Sequence, residues 1–158
     1  MKLIPMFIVS VDPGLKTGLS LVMGDGPKLL DSREVDVLDV EAAMMEMLRD
    51  LPPEGAIEDQ HSLLPVIEKF TINAKTVRNS QAPWSLEVTG IARNVFWRER
   101  GLEPIMQQPS EAMDLMVNSR LRAVDCWHKG GAGHANDAIR HALFALHQRG
   151  WRDRRLLL

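Results

Sequence analysis

The chain has 158 residues, 45% of them apolar, which suits one domain with a full core; no apolar run reaches the roughly 18 residues of a membrane span. One cysteine, Cys126, excludes an internal disulfide and a multi-cysteine zinc site. Net charge is −2, yet residues 1–67 hold 5 Lys/Arg against 12 Asp/Glu and residues 68–158 hold 14 against 9, so an acidic part precedes a basic one.

The N-terminal run MKLIPMFIVSV is too short and wrongly flanked for a secretory signal. With the lone cysteine it points to a reduced, cytoplasmic setting. Residues 7–11 and 19–23 read as short strands. Between them the first strand delivers Asp12, Pro13-Gly14 turns the chain, and Thr17-Gly18 opens the return. The turn GDGPK at 24–28 precedes a third strand over 29–37. Asp39 then suits the cap of a helix, VEAAMMEMLRDL, with Ala42, Met45, Met47 and Leu48 as its inward stripe. Pro52-Pro53 stops it. GAIEDQ reads as a very short strand, Ala56-Ile57, ending in Glu58. Residues 61–83 are weakly patterned and read as a loop with a partial helix. The helix WSLEVTGIARNVFWRERG follows, with Leu86, Ile91, Val95 and Phe96 inward, and Gly101 ends it. LEPIMQQ is a brief strand, Pro109-Ser110 starts another helix, and the hinge KGGAG leads into the last helix, HANDAIRHALFALHQRGW. Residues 151–158 form a short basic, then apolar, tail beyond a domain of residues 1–150. This order predicts a mixed five-stranded sheet flanked by helices. No GxGxxG or P-loop fingerprint is present, so a nucleotide cofactor is not expected.

Three acids stand where apolar elements end: Asp12 after the first strand, Glu58 after the strand at 56–57, and Asp137 in the first turn of the last helix. Gathered at one sheet edge, they would repel one another unless a cation joined them. Oxygen donors without thiolates suit Mg²⁺ or Mn²⁺. Two such ions about 3.5–4 Å apart activate water and stabilise a leaving oxygen in phosphodiester hydrolysis. Each acid also has a plain structural reading: a turn aspartate before Pro-Gly, a solvated loop glutamate beside Asp59, a first-turn acid favoured by the helix dipole. His134, Asp137 and His141, at offsets of three and seven, share one helical face. His134 suits a ligand or proton carrier; His141 suits a supporting role.

VSVDPGLKTGLSLV resembles the first motif of RuvC-type Holliday junction resolvases, AIEDQ their second, and HANDAIRHALFAL their last. The wording HANDAIRHAL is most similar to the RuvC-like resolvases of bacteriophages. The resemblance spans roughly residues 6–147. It implies an RNase H-like fold, a homodimer, two Mg²⁺ (or Mn²⁺) ions per site, and paired nicks on opposing strands of a four-way DNA junction. It implies that Asp12, Glu58 and Asp137 bind metal, and that His134 takes the place of a fourth acid. Many members carry a wedge aromatic three residues after the glutamate, where this chain has His61; Phe70 and Trp84 are alternatives. A lysine usual after the PSxx helix start is replaced by Met113, leaving Arg120, Arg122 and Lys129 as phosphate contacts. Other readings stay open: a nuclease for flaps and forks, a junction-binding protein without catalysis, and an actin-like or sugar-kinase ATPase, which normally needs two such domains.

Overall fold

The structure, a computed structural model, describes residues 7–24, 26–53, 63–72 and 82–156. Pro13-Gly14 folds strand β1 (Phe7–Asp12) back onto β2 (Lys16–Met23) as an antiparallel pair, with Thr17 Oγ donating to Gly14 O at 2.9 Å to close the turn. Strand β3 (Lys28–Asp36) continues the meander antiparallel to β2. A 3-10 turn at Val37–Asp39 feeds helix α1 (Val40–Arg49). On the other side of β1 lies β4 (Leu63–Glu68), parallel to it, and β5 (Ile105–Gln107) lies parallel to β4. Helix α2 (Ala82–Arg100) stands between β4 and β5 in the chain. Helices α3 (Pro109–Leu115), α4 (Asn118–Ala123) and α5 (His134–Gln148) follow β5. The sheet order is β3-β2-β1-β4-β5, the expected mixed five-stranded sheet flanked by helices, an RNase H-like arrangement.

Strand residues alternate between the two faces, so the sheet separates two cores. Val9, Val11, Leu19, Leu21, Leu63 and Ile67 face α1 and α2. Ile8, Val22, Leu64 and Val66 face α5, against Ile139, Leu143 and Leu146. Trp151, just past α5, is buried in that second core. No helix among the described residues is long and apolar enough to cross a membrane.

The structure corrects three details. Residues 63–68, expected to lie in a loop, form β4. Pro65 argues against a strand because it cannot donate to a ladder. Here β5 covers only Val66–Glu68, so Pro65 sits on an open stretch of β4. The inward stripe of α1 is Val40, Ala43, Met44, Met47 and Leu48, not Ala42 and Met45; Val40, the first helical residue, sets the phase. In α2, Val95 and Phe96 are buried as expected and Ile91 partly so, but Leu86 is 47% exposed, with Ser85, Val88 and Ala92 completing the buried stripe.

Candidate active site

One row of residues crosses the sheet at the edge where β1, β4 and β5 end. Asp12 pairs with Gly18, and Gly18 with Glu34. Glu68 pairs with Gln107, and the Val11–Ile67 pairing brings Asp12 beside Glu68. Ladder partners project to the same face. Gln107, Glu68, Asp12, Gly18 and Glu34 therefore form a polar line under the start of α5, two residues beyond the apolar core of the same face.

Gly18 is the gap in that line. A Cβ there would stand 1.9 Å from His134 O and 2.2 Å from its carbonyl carbon, so only glycine lets α5 come down between Asp12 and Glu34. Two residues deeper, Ser10 and Ser20 replace bulk with hydroxyls: Ser10 Oγ donates to Ala138 O at 2.5 Å, with Ser20 Oγ 2.6 Å away. Every buried side-chain nitrogen and oxygen among the described residues has a partner.

Glu34 holds the N-terminus of α5 from β3. Its carboxylate accepts from the backbone N–H groups of Ala132 (2.8 Å), Gly133 (2.8 Å) and Ala135 (3.2 Å). The helix has no side-chain cap of its own, since Gly133 occupies the capping position. Burial opposes the Glu34 charge, but the three N–H donors win and hold its pKa below the ordinary value.

Thus fixed, α5 lays its polar face along the row. His134 Nδ1 donates to Asp12 Oδ2 at 2.9 Å, which leaves Nε2 with its lone pair free. Asp137, one turn on, offers a carboxylate oxygen. Asp12, His134 and Asp137 each bring one ligand atom within 4.8 Å of the others. Two turns from His134, His141 is buried against the row: its Nε2–H donates to Glu68 Oε2 at 2.7 Å, and its Nδ1–H donates to Gln107 Oε1 at 2.8 Å. Arg140 lies beneath Asp137, pairing with its carboxylate and donating to Met116 O (2.8 Å) and Asn118 Oδ1 (2.6 Å).

Of the four expected ligands, Asp12, His134 and Asp137 are thus brought together. Glu58 and His61 lie outside the described residues. Glu68 stands at the end of β4, next to Asp12, with its side chain 22% exposed. Sequence reading missed Glu68, Glu34 and Arg140. PVIE carries the same signal as AIED, an apolar run ending in glutamate. Arg140 lies at the helical neighbour position of Asp137. Nothing local marks Glu34, whose partners are about a hundred residues away. Phe70 follows Glu68 by two residues and is half-buried. Arg120 donates to Leu115 O, Arg122 stacks over Trp127 at 4.2 Å, and Lys129 is exposed. Met113 is exposed on α3.

The electrostatics are those of a site short of positive charge. Burial pushes Asp12 up to about 6; the Glu68 and Asp137 charges push the same way, and the His134 hydrogen bond opposes them. That hydrogen bond to Asp12 raises His134 above its ordinary value. Both shifts mean that the folded chain binds more protons than the unfolded chain. The His134 contribution is complete below its unfolded value and fades as pH rises through the folded one. The penalty for ionising buried Asp12 grows as pH rises from 3.8 to about 6. Both slopes have the same sign, against the opposite slope of the single His147, which burial holds below its ordinary value, so the Tm of the metal-free protein should fall between pH 5 and pH 8, as read by thermal unfolding in EDTA. Glu34 acts the other way, but only below its ordinary 4.5, outside that window.

Two carboxylates and one imidazole, without thiolate and with the Glu68 carboxylate on the adjacent strand, are a donor set for a hard divalent cation. A cation there would offset the burial of the Asp12 charge and its repulsion by Glu68 and Asp137.

No protein-family model and no curated protein matches the chain. Among solved structures it is similar to T. thermophilus RuvC in complex with a Holliday junction substrate, with a TM-score of 0.69 and 18% identity over 91% of this chain and 95% of that one. The likeness is one of fold: the chain has a RuvC-like architecture.

Proposed function

We propose that the chain is a divalent-metal-dependent, structure-specific DNA endonuclease that resolves four-way junctions by paired nicks on opposing strands. The observation that carries this reading is the convergence of Asp12, His134 and Asp137, with Glu68 on the adjacent strand, at one edge of a RuvC-like fold. Asp12, Glu68 and Asp137 would hold two Mg²⁺ or Mn²⁺ ions, with Glu68 taking the part expected of Glu58. When bound, such ions lower the pKa of water and stabilise the leaving oxygen of a phosphodiester. Asp12 orients His134 by accepting from Nδ1, so His134 Nε2 faces the site as a ligand or as the acceptor of the water's proton. Glu34 keeps that imidazole in place through the helix terminus.

Arg122 and Lys129, with Arg120, are the phosphate contacts of this reading, and Phe70, close after Glu68, is its wedge against the open junction. Such contacts make DNA affinity fall steeply with salt. Paired nicks need two sites at a fixed separation, hence a homodimer; α2, which exposes Leu86 and Trp97 on one side, offers an apolar face for it. The nuclease domain of this reading spans residues 1–150, and the short tail 151–158 is anchored to it by Trp151 in the second core. The HANDAIRHAL wording supports a phage resolvase acting in the host cytoplasm.

A labelled synthetic four-way junction, beside linear duplex, flap and fork, tests the reading in Mg²⁺, Mn²⁺ and EDTA. Symmetric nicks on the junction alone are expected, absent in EDTA. Equal cutting of flaps and forks would make the protein a general debranching nuclease, and binding without cutting in either metal would leave a junction-binding protein. In the same terms, added Mg²⁺ or Mn²⁺ should raise the Tm more at pH 8 than at pH 5, because a cation competes with protons for these ligands.

A further inference from the structure

We infer that His141 is a positioning residue that sets the discrimination between divalent ions, by committing one oxygen of Glu68 and leaving the other to face the cation. The inference rests on the metal-site reading above and concerns a residue that reading does not use. His141 is 1% exposed and lies against the polar row, not in the opening. Its Nε2–H donates to Glu68 Oε2 at 2.7 Å, and its Nδ1–H donates to Gln107 Oε1 at 2.8 Å. Gln107 is itself 3% exposed, is the ladder partner of Glu68, and reaches Gln148 at the end of α5 with its Nε2 at 3.5 Å. The imidazole is thus fixed at both nitrogens between the sheet and its own helix, and Glu68 cannot turn without breaking a buried hydrogen bond.

The consequence follows from the coordination habits of the ions. Mg²⁺ demands near-ideal octahedral geometry with short bonds, and a carboxylate that offers a single oxygen fits it. Larger ions such as Ca²⁺ accept both oxygens of a carboxylate and irregular geometry, and Mn²⁺ shares the oxygen-ligand chemistry with a higher intrinsic affinity. Releasing Glu68 from His141 frees its second oxygen and its rotation. That weakens the ion that needs fixed geometry more than the ions that tolerate freedom.

Asparagine and glutamine at position 141 separate the two ends of the ring. Glutamine places an amide N–H near the position of Nε2 and keeps the bond to Glu68. Asparagine places its amide near Nδ1 and keeps only the side facing Gln107. The test is calorimetric titration of the metal-free protein, without DNA, with Mg²⁺, Mn²⁺ and Ca²⁺. His141→Asn should lose about tenfold or more in Mg²⁺ affinity, in the range found when partners of metal ligands are removed, with a smaller loss for Mn²⁺ and Ca²⁺. His141→Gln should keep the wild-type ratio of affinities. Gln107→Met, which leaves His141 and Glu68 in place but unsupported, should shift the ratio in the same direction by less; it serves if the His141 variants do not fold. A merely structural role predicts equal losses for all three ions, and that result, or an unchanged ratio in His141→Asn and Gln107→Met, overturns the inference while leaving the metal site standing. A wild type that binds none of the ions overturns both.

Discussion

Asp12→Asn should leave a folded protein that still binds a four-way junction and no longer cuts it. The amide keeps the shape of the side chain and an oxygen to accept from His134 Nδ1. It loses the negative charge that, on the proposed reading, holds the cation against two neighbouring acids. Metal activation supplies several kcal/mol of transition-state stabilisation, so the rate should drop on the order of a thousandfold, at about 1.36 kcal/mol per tenfold. Stability should move the other way. Asp12 is 7% exposed and its pKa stands at about 6, against an ordinary 3.8. Keeping it ionised in the metal-free fold at pH 8 costs on the order of 2–3 kcal/mol. The neutral amide avoids that cost, so Asp12→Asn should melt at a higher temperature than wild type in EDTA at pH 8. Gel assays with labelled junctions and thermal unfolding together check both. Metal-dependent cutting that survived the substitution would remove Asp12 from the chemistry.

Glu68→Gln and Glu58→Gln should behave as opposites. Glu68 ends the strand parallel to β1, beside Asp12, with one oxygen on His141 and its charge felt at Asp12. Removing that charge should cost roughly a hundredfold or more in cleavage, the loss of one preorganised electrostatic group, and should lower Asp12 toward its ordinary range. Glu58→Gln should cut at close to the wild-type rate. Both variants in the same junction assay decide between the two glutamates: a dead Glu58→Gln beside an active Glu68→Gln would return the role to Glu58 and refute the site as built here.

That pair of glutamates also shows where sequence reading stops. The β1–β2 hairpin, its delivery of Asp12, the final helix and the shared face of His134, Asp137 and His141 were legible, because each follows from local chemistry: a Pro-Gly turn, an apolar run, a helical offset. The place of Glu68 beside Asp12 was not, because AIED and PVIE are locally equivalent. What puts Glu68 there is the pairing of β4 with β1, whose residues are far away in the chain. In the inward stripes, Met47, Leu48, Val95 and Phe96 are buried as expected, whereas Ala42, Met45 and Leu86 were misplaced for a related reason. In a helix with apolar residues on several sides, such as Met44 and Met45 or Leu86 and Val88, tertiary packing chooses the face. Glu34 and Arg140 depend on partners brought close only by the finished fold: Glu34 on the loop before α5, Arg140 on the α3–α4 junction.

The gap at Gly18 has a mechanical consequence. Because α5 is seated between Asp12 and Glu34 with its next turns in the core, the segment that carries His134, Asp137 and His141 is also among the best-buried parts of the molecule. Such a segment opens only with the whole domain. The polar edge of the sheet is therefore a stiff anvil and not a jaw. On the proposed reading, the strain of reaching an in-line arrangement falls on the nucleic acid, and the protein selects the strand whose backbone yields most easily. Branch points would then be recognised by their compliance, with little need to read base edges.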